Sequence, residues 1–356
     1  MSIKDSLFLF YTTYLCTMKR RRITILILLV ISIAFFIWEN PKESEYINNT
    51  GLIFGTTYSM TYESPEGIDY QEAVHQQLMD VVDNSLSTFN PKSTISLINT
   101  NQSHHTDSAF EKVYNQAKYI SEVTNGAFDM TVAPLVNTWG FGYKDKDHIL
   151  PTDDEVKALL DIVGYQKVHL ENHQLIKDHP KTTLDASAIA KGYSVDVAAE
   201  FLESKGITNY MVEIGGEIRV GGLNKENNKW RLGIDKPIED LTLNHRALDT
   251  IIHLTDVALA TSGNYRQFYY KDGKRYSHTI DPISGYPVDH TLLSATVLAA
   301  DCMTADALAT ACMVMGAEKS LEVCETLQGV EIYLIVDEDG QSKEIYSEGL
   351  KKFLTP

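Results

Sequence analysis

Residues 293–315 read LSATVLAADCMTADALATACMVM and join a predicted strand to a predicted helix. The apolar run Leu293–Leu298 is typical of a strand, and the alanine-rich run Ala305–Met315 is typical of a helix. In that helix Asp306 and Thr310 stand four residues apart, so their side chains share one face. One carboxylate and one hydroxyl form a hard, all-oxygen site of the kind that Mg²⁺ prefers. A capped, partly buried helix with an acid near its N-terminus explains the same residues more simply when they are taken alone.

Strands and helices mix irregularly on both sides of this stretch. The other predicted strands are Leu52–Tyr62 (interrupted at Gly55-Thr56-Thr57), Lys167–Leu170, Gln174–Lys177, Tyr210–Ile214, Trp230–Asp235, Thr250–Leu259 and Glu331–Val336. The other predicted helices are Tyr70–Ser87, Phe110–Thr124, Asp153–Gly164 and Ala188–Lys205. Because no regular strand–helix–strand rhythm appears, we expect an α+β architecture rather than a doubly wound parallel sheet.

The charge of the chain is unevenly distributed. Its 356 residues include 31 Lys and Arg against 48 Asp and Glu, a net charge of −17. The first 40 residues hold five basic and two acidic side chains, so they carry +3 and the other 316 residues carry −20. A body this acidic lacks the basic surface that drives nucleic-acid binding, so we expect no nucleic-acid partner. The three cysteines of this body form no C-x-x-C pair, which disfavours a disulfide framework and a zinc site.

An apolar run near the N-terminus predicts a membrane anchor. Ile23–Trp38 is broken by only two hydroxyl residues and follows the basic cluster Lys19–Arg22, which favours a cytoplasmic N-terminus. Sixteen residues are slightly few for a spanning helix, so a cleaved signal peptide stays open, although no small-residue cleavage site follows. Met18 is an alternative start to Met1. We expect a single-pass protein of the cytoplasmic (inner) membrane, with its body on the exported, periplasmic side: 1–22 cytoplasmic, 23–38 transmembrane, 39–50 tether and 51–356 folded domain.

Two further stretches could carry chemistry. In Tyr276–Gly285, a strand delivers His278 to a loop with Asp281 before proline, which suits acid–base work because histidine titrates near neutral pH. A surface histidine beside a turn is the simpler interpretation. In Leu184–Tyr193, small residues begin a helix and would let an anionic ligand approach backbone amides at its positive end. A helix packed closely through its alanines is an equally good interpretation.

Two glycine-containing stretches are compatible with a flat or anionic ligand. Gly215-Gly216 follows a predicted strand in Glu213–Ile218 and permits close backbone approach, although a plain hairpin turn explains it equally well. Gly126–Asp129 precedes Leu135–Gly142, whose Trp139 and Phe141 could face a ring system. Aromatic residues in such a run are more often part of a core.

In combination, these stretches resemble the FAD:protein FMN transferase family, also called the ApbE family. The matching segments run in order along the chain from about Gly51 to Gly349. They are Gly55–Tyr58, Leu86–Pro91 with Ser96 and Asn99, Thr124–Pro134, Trp139–Gly142, Leu184–Asp196, Val212–Arg219, Ala260–Arg266, Ser277–Pro287 and Ala305–Thr310.

The resemblance implies a fold and a reaction. The fold would be α+β, related to the T-fold, with mixed sheets, packed helices and two lobes around a flavin cleft. The enzyme would split the pyrophosphate of its substrate FAD with Mg²⁺, attach FMN through a phosphoester to a threonine hydroxyl of a target redox protein, and release AMP. The implied metal ligands are Asp306, Thr310 and the carbonyl of Ala188. The implied base is His278, and Asp281 is our own second candidate. The implied flavin contacts are Phe54, Ser87, Thr88, Phe89, Ala127, Phe128, Asp129, Asp185, Lys191 and Ile280.

Three departures from the family pattern and two alternatives remain. Phe54 stands where methionine is common, Ile283-Ser284 replaces Arg-Thr, and no lipid-attachment cysteine follows the apolar run. A Mg²⁺-dependent FAD pyrophosphatase would use the same site with water as the acceptor. A non-catalytic flavin-binding protein would need no metal site, so the Asp306/Thr310 pair argues against it.

Overall fold

The computed structural model describes residues 18, 24, 25, 27–30, 32, 44–142, 150–237, 248–264, 268–271 and 273–354. The chain divides into two compact units. The first comprises Met1–Glu45 with Pro65–Gly67, and the second comprises Tyr46–Ser64 with Ile68–Pro356. Among the described residues, none of the helices combines the length and apolar character that crossing a bilayer requires. The basic cluster Lys19–Arg22 and much of the predicted anchor lie outside the described residues.

An antiparallel sheet forms the centre of the second unit. Within the described residues it has eight strands in the order β1-β2-β5-β6-β9-β12-β13-β14, and β3-β4, β7-β8 and β10-β11 form three separate hairpins. From β2 to β14, each neighbouring pair of the sheet is antiparallel. The strands are β1 (Glu45–Ile53), β2 (Thr56–Ser64), β3 (Val168–Glu171), β4 (Gln174–Lys177), β5 (Tyr210–Ile214), β6 (Glu217–Gly221), β7 (Trp230–Asp235), β8 (Leu248–Leu254), β9 (Val257–Gly263), β10 (Phe268–Lys271), β11 (Lys274–Ser277), β12 (Leu292–Ala299), β13 (Glu331–Glu338) and β14 (Gln341–Tyr346).

The helices pack around this sheet. Their bounds are α1 (Gln71–Leu78), α2 (Asn84–Leu86), α3 (Thr94–Asn99), α4 (Ser108–Val123), α5 (Ala133–Thr138), α6 (Asp153–Leu160), α7 (Ala190–Ser204), α8 (Cys302–Met315), α9 (Ala317–Thr326) and α10 (Lys351–Leu354). A π-helical segment, Met79–Asp83, joins α1 to α2, and short 3-10 turns lie at Tyr165–Lys167 and Glu348–Leu350. Local signals set several ends: Asp301 caps α8 by accepting from the Thr304 amide at 2.8 Å, and Gly316 ends it with a φ of 78°.

The centre of the sheet is buried on both faces. On one face its residues join the largest hydrophobic cluster with α1, α4, α7 and α8. On the other face they join a second cluster with the β7–β8 hairpin and Leu350. Neighbouring residues of one strand alternate between the two clusters, as Val297 and Leu298 of β12 do, because successive side chains of a strand point to opposite faces. Helix α8 is therefore buried on most of its surface, which explains its alanine content.

Several chain reversals meet at one end of the sheet. Phe54 and Gly55 join β1 to β2 with positive φ at both positions, as a type I′ turn requires. Gly215 and Gly216 join β5 to β6, and the Gly215 amide donates to the Thr57 carbonyl at 3.0 Å. The antiparallel registers place the end of β9 and the start of β12 at this same end. Glu217, the first residue of β6, and Ser262, near the end of β9, lie at this end of the sheet.

The α+β architecture is confirmed, and the structure differs from the predicted elements in several places, of which two concern strands near the site. The predicted strand Thr250–Leu259 is two strands, β8 and β9, because Asp256 takes a positive φ of 52° and turns the chain. Residues 45–50, predicted to lie in the tether, belong to β1, where the Asn48 side chain donates to the Thr61 hydroxyl at 2.7 Å. The strand therefore begins before the apolar residues that signalled it.

Candidate functional site

Asp306 lies where α8 crosses the N-terminus of α7. It is 2% exposed, and its Oδ2 accepts from the Gly192 amide at 2.9 Å. Gly192 is in the first turn of α7, where amides have no partner within the helix and carry the positive end of the helix dipole. A Cβ on Gly192 would lie 2.2 Å from the Cys302 carbonyl oxygen and 2.8 Å from Cβ of Asp306. Glycine is therefore required for the two helices to approach so closely.

Two buried carboxylates share the ammonium of Lys191. Nζ of Lys191 contacts Oε1 of Glu217 and lies 3.9 Å from Oδ1 of Asp306. Burial acts to lower the pKa of Lys191, but the negative charges of Asp306 and Glu217 outweigh it and raise that pKa. Burial and the neighbouring Asp306 raise the pKa of Glu217. The site therefore keeps Lys191 protonated beside two buried acidic side chains.

Thr310 lies one turn further along α8 and reaches the sheet. Its hydroxyl is 3.4 Å from the Ser262 hydroxyl near the end of β9. Since Asp306 and Thr310 belong to one regular helix, their side chains are on the same face, as the sequence predicted. Helix α8 therefore presents two side chains with potential metal-ligating oxygen atoms, Asp306 and Thr310, on the face towards this end of the sheet.

Asp196 and Arg219 fix the start of α8, and sequence reasoning missed both. The Asp196 carboxylate on α7 accepts from the amides of Cys302 and Met303 at 2.9 and 2.8 Å. It also pairs with Nη1 of Arg219 on β6 at 3.1 Å. Burial nevertheless raises the pKa of Asp196 to about 6. Its buried position between α7 and α8 is a long-range property that spacing along the chain does not reveal.

Hydrogen bonds join the predicted flavin-contacting segments around Asp185. Asn99 holds Leu184 from both sides, accepting from its amide at 2.7 Å and donating to its carbonyl at 2.8 Å. The Asp185 amide donates to the Met130 carbonyl at 2.7 Å, next to Asp129. Oδ1 of Asp185 accepts from the Ser187 amide at 2.8 Å and shapes the loop that leads to Ala188.

The carboxylate of Asp129 supports the local backbone. Its Oδ1 accepts from the amide and the hydroxyl of Thr131, both at 2.7 Å, and its Oδ2 accepts from the Tyr165 amide at 2.6 Å. Burial raises the pKa of this carboxyl, against the effect of those hydrogen bonds. Ala127 and Phe128 are buried, and the ring of Phe128 belongs to the main core rather than to a surface.

Other predicted contact residues are exposed. Ser87 is half-buried and follows the last residue of α2. Its carbonyl accepts hydrogen bonds from the hydroxyls of Ser93 and Ser96 at 2.6 and 3.2 Å. The next residues, Thr88 and Phe89, are exposed, and Phe89 is 80% accessible. Phe54, in the β1–β2 turn, is 38% accessible. Exposed aromatic rings of this kind are available to a flat ligand.

The loop after β11 carries His278 and Asp281. The His278 ring lies 6.4 Å from the Phe141 ring in an edge-on arrangement. Ile280 bridges to Pro287 and is buried, while Oδ1 of Asp281 accepts from the Ile283 amide at 2.9 Å. This loop approaches the segment at Gly126, where an added Cβ would lie 3.6 Å from Cγ1 of Ile283.

Trp139 belongs to a small core and not to an open surface. It is buried with Leu135, Val156 and Ile280, and its indole donates to the Gly285 carbonyl at 2.7 Å. Its ring stacks with Tyr276 at 5.9 Å. Trp139 therefore anchors the His278 loop, and the core interpretation of this aromatic run is confirmed. Tyr265 and Arg266 of the family-matching segment lie outside the described residues.

The donor set around Asp306 fits a hard divalent cation. Asp306 and Thr310 offer only oxygen atoms on one helix face, which suits Mg²⁺. Oε2 of the buried Glu217, which contacts Lys191 through its other oxygen, has no hydrogen-bond partner among the described residues. No group of three or more His, Cys, Asp or Glu in the described part of the chain is arranged to hold a metal. A cation here would need backbone, hydroxyl or ligand oxygens in addition to Asp306.

Comparisons with known proteins show the family to which the chain is related. The chain matches the sequence profile of the ApbE family over residues 54–334. It is 41% identical over 320 residues to the FAD:protein FMN transferase of Vibrio cholerae serotype O1, covering 88% of this chain and 94% of that relative. It is 37% identical over 337 residues to the FAD:protein FMN transferase of Haemophilus influenzae, covering 91% and 96%.

Solved structures show the same similarity. The flavin transferase ApbE from Vibrio cholerae matches with a TM-score of 0.78 at 40% identity, over 87% of this chain and 100% of that one. The apo form of the flavinyl transferase ApbE from Pseudomonas stutzeri matches with a TM-score of 0.77 at 29% identity, over 87% and 97%. On the profile match and these relatives together, the chain belongs to the ApbE family.

Proposed function

We propose that this protein transfers FMN from FAD to a threonine hydroxyl of a target protein and releases AMP, in a Mg²⁺-dependent reaction. The observation that carries the proposal is the position of Asp306. Its carboxylate is fixed at the N-terminus of α7, beside Lys191 and on the same helix face as Thr310. Helix N-termini and lysine ammonium groups bind phosphate, and a carboxylate with a hydroxyl suits Mg²⁺. Phosphoryl transfer relies on such groups to position the phosphates and to stabilise their charge.

The proposed metal ligands are Asp306, Thr310 and the Ala188 carbonyl. Mg²⁺ held there would neutralise charge on the pyrophosphate oxygens. Lys191 would contact the same phosphates near the start of α7. The similarity to enzymes whose names specify FAD as substrate supports the choice of ligand.

The flavin would lie among segments already joined by hydrogen bonds. Exposed aromatic rings would contact the isoalloxazine, whereas buried members such as Phe128 could contribute only backbone atoms. The proposed contacts are Phe54, Ser87, Thr88, Phe89, Ala127, Phe128, Asp129, Asp185, Lys191 and Ile280.

His278 is the proposed general base, with Asp281 second. A threonine hydroxyl is a weak nucleophile at neutral pH, so removal of its proton by a ring nitrogen of His278 would favour attack. The threonine Oγ1 would form a bond to the FMN phosphorus while the phosphorus–oxygen bond to AMP breaks. The packing of the loop against Trp139 supports this role, because a base must be held in place.

The location of the protein is also proposed. A single N-terminal anchor at 23–38, preceded by basic residues, would place the folded domain on the exported side of the cytoplasmic membrane. Redox proteins facing that side would then be the targets. A reporter enzyme that is active only after export, fused to the C-terminus, tests this orientation, and we expect the reporter to be active. Activity of a second reporter that works only in the cytoplasm would contradict the orientation.

The decisive experiment is mass spectrometry of a candidate acceptor coexpressed with this protein. Covalent FMN on a threonine of the acceptor, dependent on the protein, is the expected result. AMP and free FMN released from FAD at the same rate with and without acceptor would instead indicate a pyrophosphatase. Intact FAD after long incubation with Mg²⁺ and acceptor would indicate a flavin-binding protein without activity.

A further inference from the structure

Glu217 has no role in the mechanism described above, yet it is one of the most buried acids near the site. It is the first residue of β6, directly after the Gly215-Gly216 turn, and is 3% exposed. Its Oε1 contacts Nζ of Lys191, and its Oε2 has no hydrogen-bond partner among the described residues. Burying a carboxylate is costly unless its charge is used or paired. The cost of burying Glu217 therefore indicates that this side chain has a function.

The geometry of the shared ammonium suggests what that function is. The side chain of Lys191 is 40% exposed, whereas those of Glu217 and Asp306 are 4% and 3% exposed. The lysine thus reaches two buried carboxylates from their more open side. It contacts Glu217 directly and stays 3.9 Å from Oδ1 of Asp306. Because a lysine stem is flexible, the ammonium could close this distance if the attraction of Glu217 were removed.

We propose that Glu217 is a positioning residue that holds the Lys191 ammonium away from Asp306 and so keeps the Asp306 carboxylate available to a divalent cation. This inference rests on the proposed function, in which Asp306 is a metal ligand. An ammonium bound directly to Asp306 would compete with the cation for the same oxygen atoms. Held on Glu217, the same ammonium would still be able to contact the phosphates of a bound ligand.

The surroundings of Glu217 keep its carboxylate in place. The backbone of Glu217 pairs with Ile214 across the β5–β6 hairpin. A Cβ on Gly215 would lie 3.1 Å from Cγ2 of Thr56 and 3.4 Å from Oε2 of Glu217, so the turn and the carboxylate pack closely. The carboxylate therefore acts as a fixed acceptor, and Lys191 is the mobile member of the pair.

Binding of Mn²⁺, followed by electron paramagnetic resonance with saturating ADP as the pyrophosphate compound, tests the proposal. We expect Glu217→Gln to weaken Mn²⁺ binding about tenfold, within the range found when a residue supporting a metal ligand is replaced. Adding Lys191→Met to Glu217→Gln should restore the affinity to within about threefold of the unaltered protein, because the competing ammonium is gone. If Glu217→Gln weakened Mn²⁺ binding only by disturbing the packing around residue 217, removal of the Lys191 ammonium would not restore the affinity.

The controls separate the remaining explanations. Glu200 lies on α7, as Lys191 does, and its exposed carboxylate pairs with Lys112 of α4. Glu200→Gln removes that carboxylate and should leave Mn²⁺ affinity unchanged. Should Glu217→Gln fail to fold, the double variant must still bind Mn²⁺ with an affinity within about threefold of that of the unaltered protein. A double variant as weak as Glu217→Gln would make Glu217 itself a ligand and overturn the proposal.

Failure of this inference differs from failure of the proposed function. Equal Mn²⁺ affinity in the unaltered protein and Asp306→Ala would overturn the inference by removing its metal site. FMN transfer to an acceptor, followed by in-gel flavin fluorescence, is measured separately. Transfer that persists while Glu217→Gln leaves Mn²⁺ affinity unchanged would refute the positioning role alone.

Discussion

Asp306 has two tasks that substitution can separate. It accepts a hydrogen bond from Gly192 and is proposed to hold the cation. In Asp306→Asn the amide oxygen can still accept from Gly192, but the charge is lost. We expect a stable protein whose FMN transfer falls by roughly 10²–10³, the range for removal of one preorganised electrostatic group. The measurement is the initial rate of acceptor flavinylation at several Mg²⁺ concentrations, and an unchanged rate would rule out Asp306 as a ligand.

His278→Ala tests the proposed base. Loss of a general base should slow transfer by roughly 10²–10⁴ while the dissociation constant of FAD changes little. Single-turnover transfer and quenching of FAD fluorescence measure the two quantities. His173→Ala is the control, because that side chain is exposed in the β3–β4 turn and pairs with Glu111. Weakened FAD binding with an unchanged transfer rate would instead assign His278 a binding role.

At single positions, the sequence predicted local relationships better than distant ones. The shared face of Asp306 and Thr310 follows from helix geometry alone and was predicted. The contact of Asp196 with Cys302 spans 106 positions and depends on how α7 packs on α8. Glu217 offered a signal, an acid directly after Gly215-Gly216 at the start of a strand, but its pairing with Lys191 requires the order of strands in the sheet.

At the scale of elements, apolar runs predicted most of the strands, although β10 and β14 were missed and one boundary was concealed. β8 and β9 are both apolar, and the turn between them uses Thr255 and Asp256 rather than glycine or proline. Hydrogen bonds to Gly222 stabilise that turn, with the Gly222 amide donating to Asp256 at 2.9 Å and Thr255 donating to the Gly222 carbonyl at 2.7 Å. Since Gly222 follows a different strand, β6, the boundary depends on tertiary contacts.

The crossing of α7 and α8 is the element-scale feature most sensitive to substitution. In Gly192→Ala the new Cβ would clash with the backbone of Cys302 and with Asp306, so the helices must separate. We expect a loss of about 3 kcal/mol in the free energy of unfolding, at the upper end for overpacking, together with loss of FMN transfer. Urea denaturation followed by circular dichroism measures the first quantity.

Gly206→Ala is the contrasting variant for the same helix. Gly206 follows the C-terminus of α7 with a φ of 79° and has no atom within 4 Å of an added Cβ. We expect Gly206→Ala to lower the free energy of unfolding by only about 1–2 kcal/mol, through backbone strain, and to leave FMN transfer intact. Equal effects of the two substitutions on transfer would mean that the helix crossing does not set the position of Asp306.

At the scale of the whole molecule, the strand order brings segments that are far apart in the sequence to one end of the sheet. Turns at Phe54-Gly55 and Gly215-Gly216, the end of β9 and the start of β12 meet at one end because neighbouring strands are antiparallel. The α+β class was predictable from the mixture of elements, whereas the strand order was not, because β1–β2 and β5–β6 pair across about 150 residues. The proposed anchor remains a prediction from the basic and apolar runs of the N-terminus.

Buried tyrosines predict that the folded state loses stability at alkaline pH. Burial raises the pKa values of Tyr62, Tyr114 and Tyr193 to about 12, and the Tyr114 hydroxyl donates to the Val168 carbonyl at 2.8 Å. An unfolded phenol titrates near 10. Below pH 10 both states keep these protons, so the stabilising contribution is complete. Between pH 10 and 12 the unfolded chain releases them first, and the free energy of unfolding falls.

Each of these phenols contributes at most about 1.4 kcal/mol per pH unit to that fall. Urea midpoints measured between pH 8 and 11, with tyrosinate absorbance of the folded protein, test the expectation. Tyr114→Phe removes one titrating group and should make the decline less steep, although it also leaves the Val168 carbonyl without this donor. Lysine deprotonation increases the negative charge of the acidic body in both proteins, so the difference in slope isolates the phenol. Identical slopes in Tyr114→Phe and the unaltered protein would show that Tyr114 titrates alike in the folded and unfolded states.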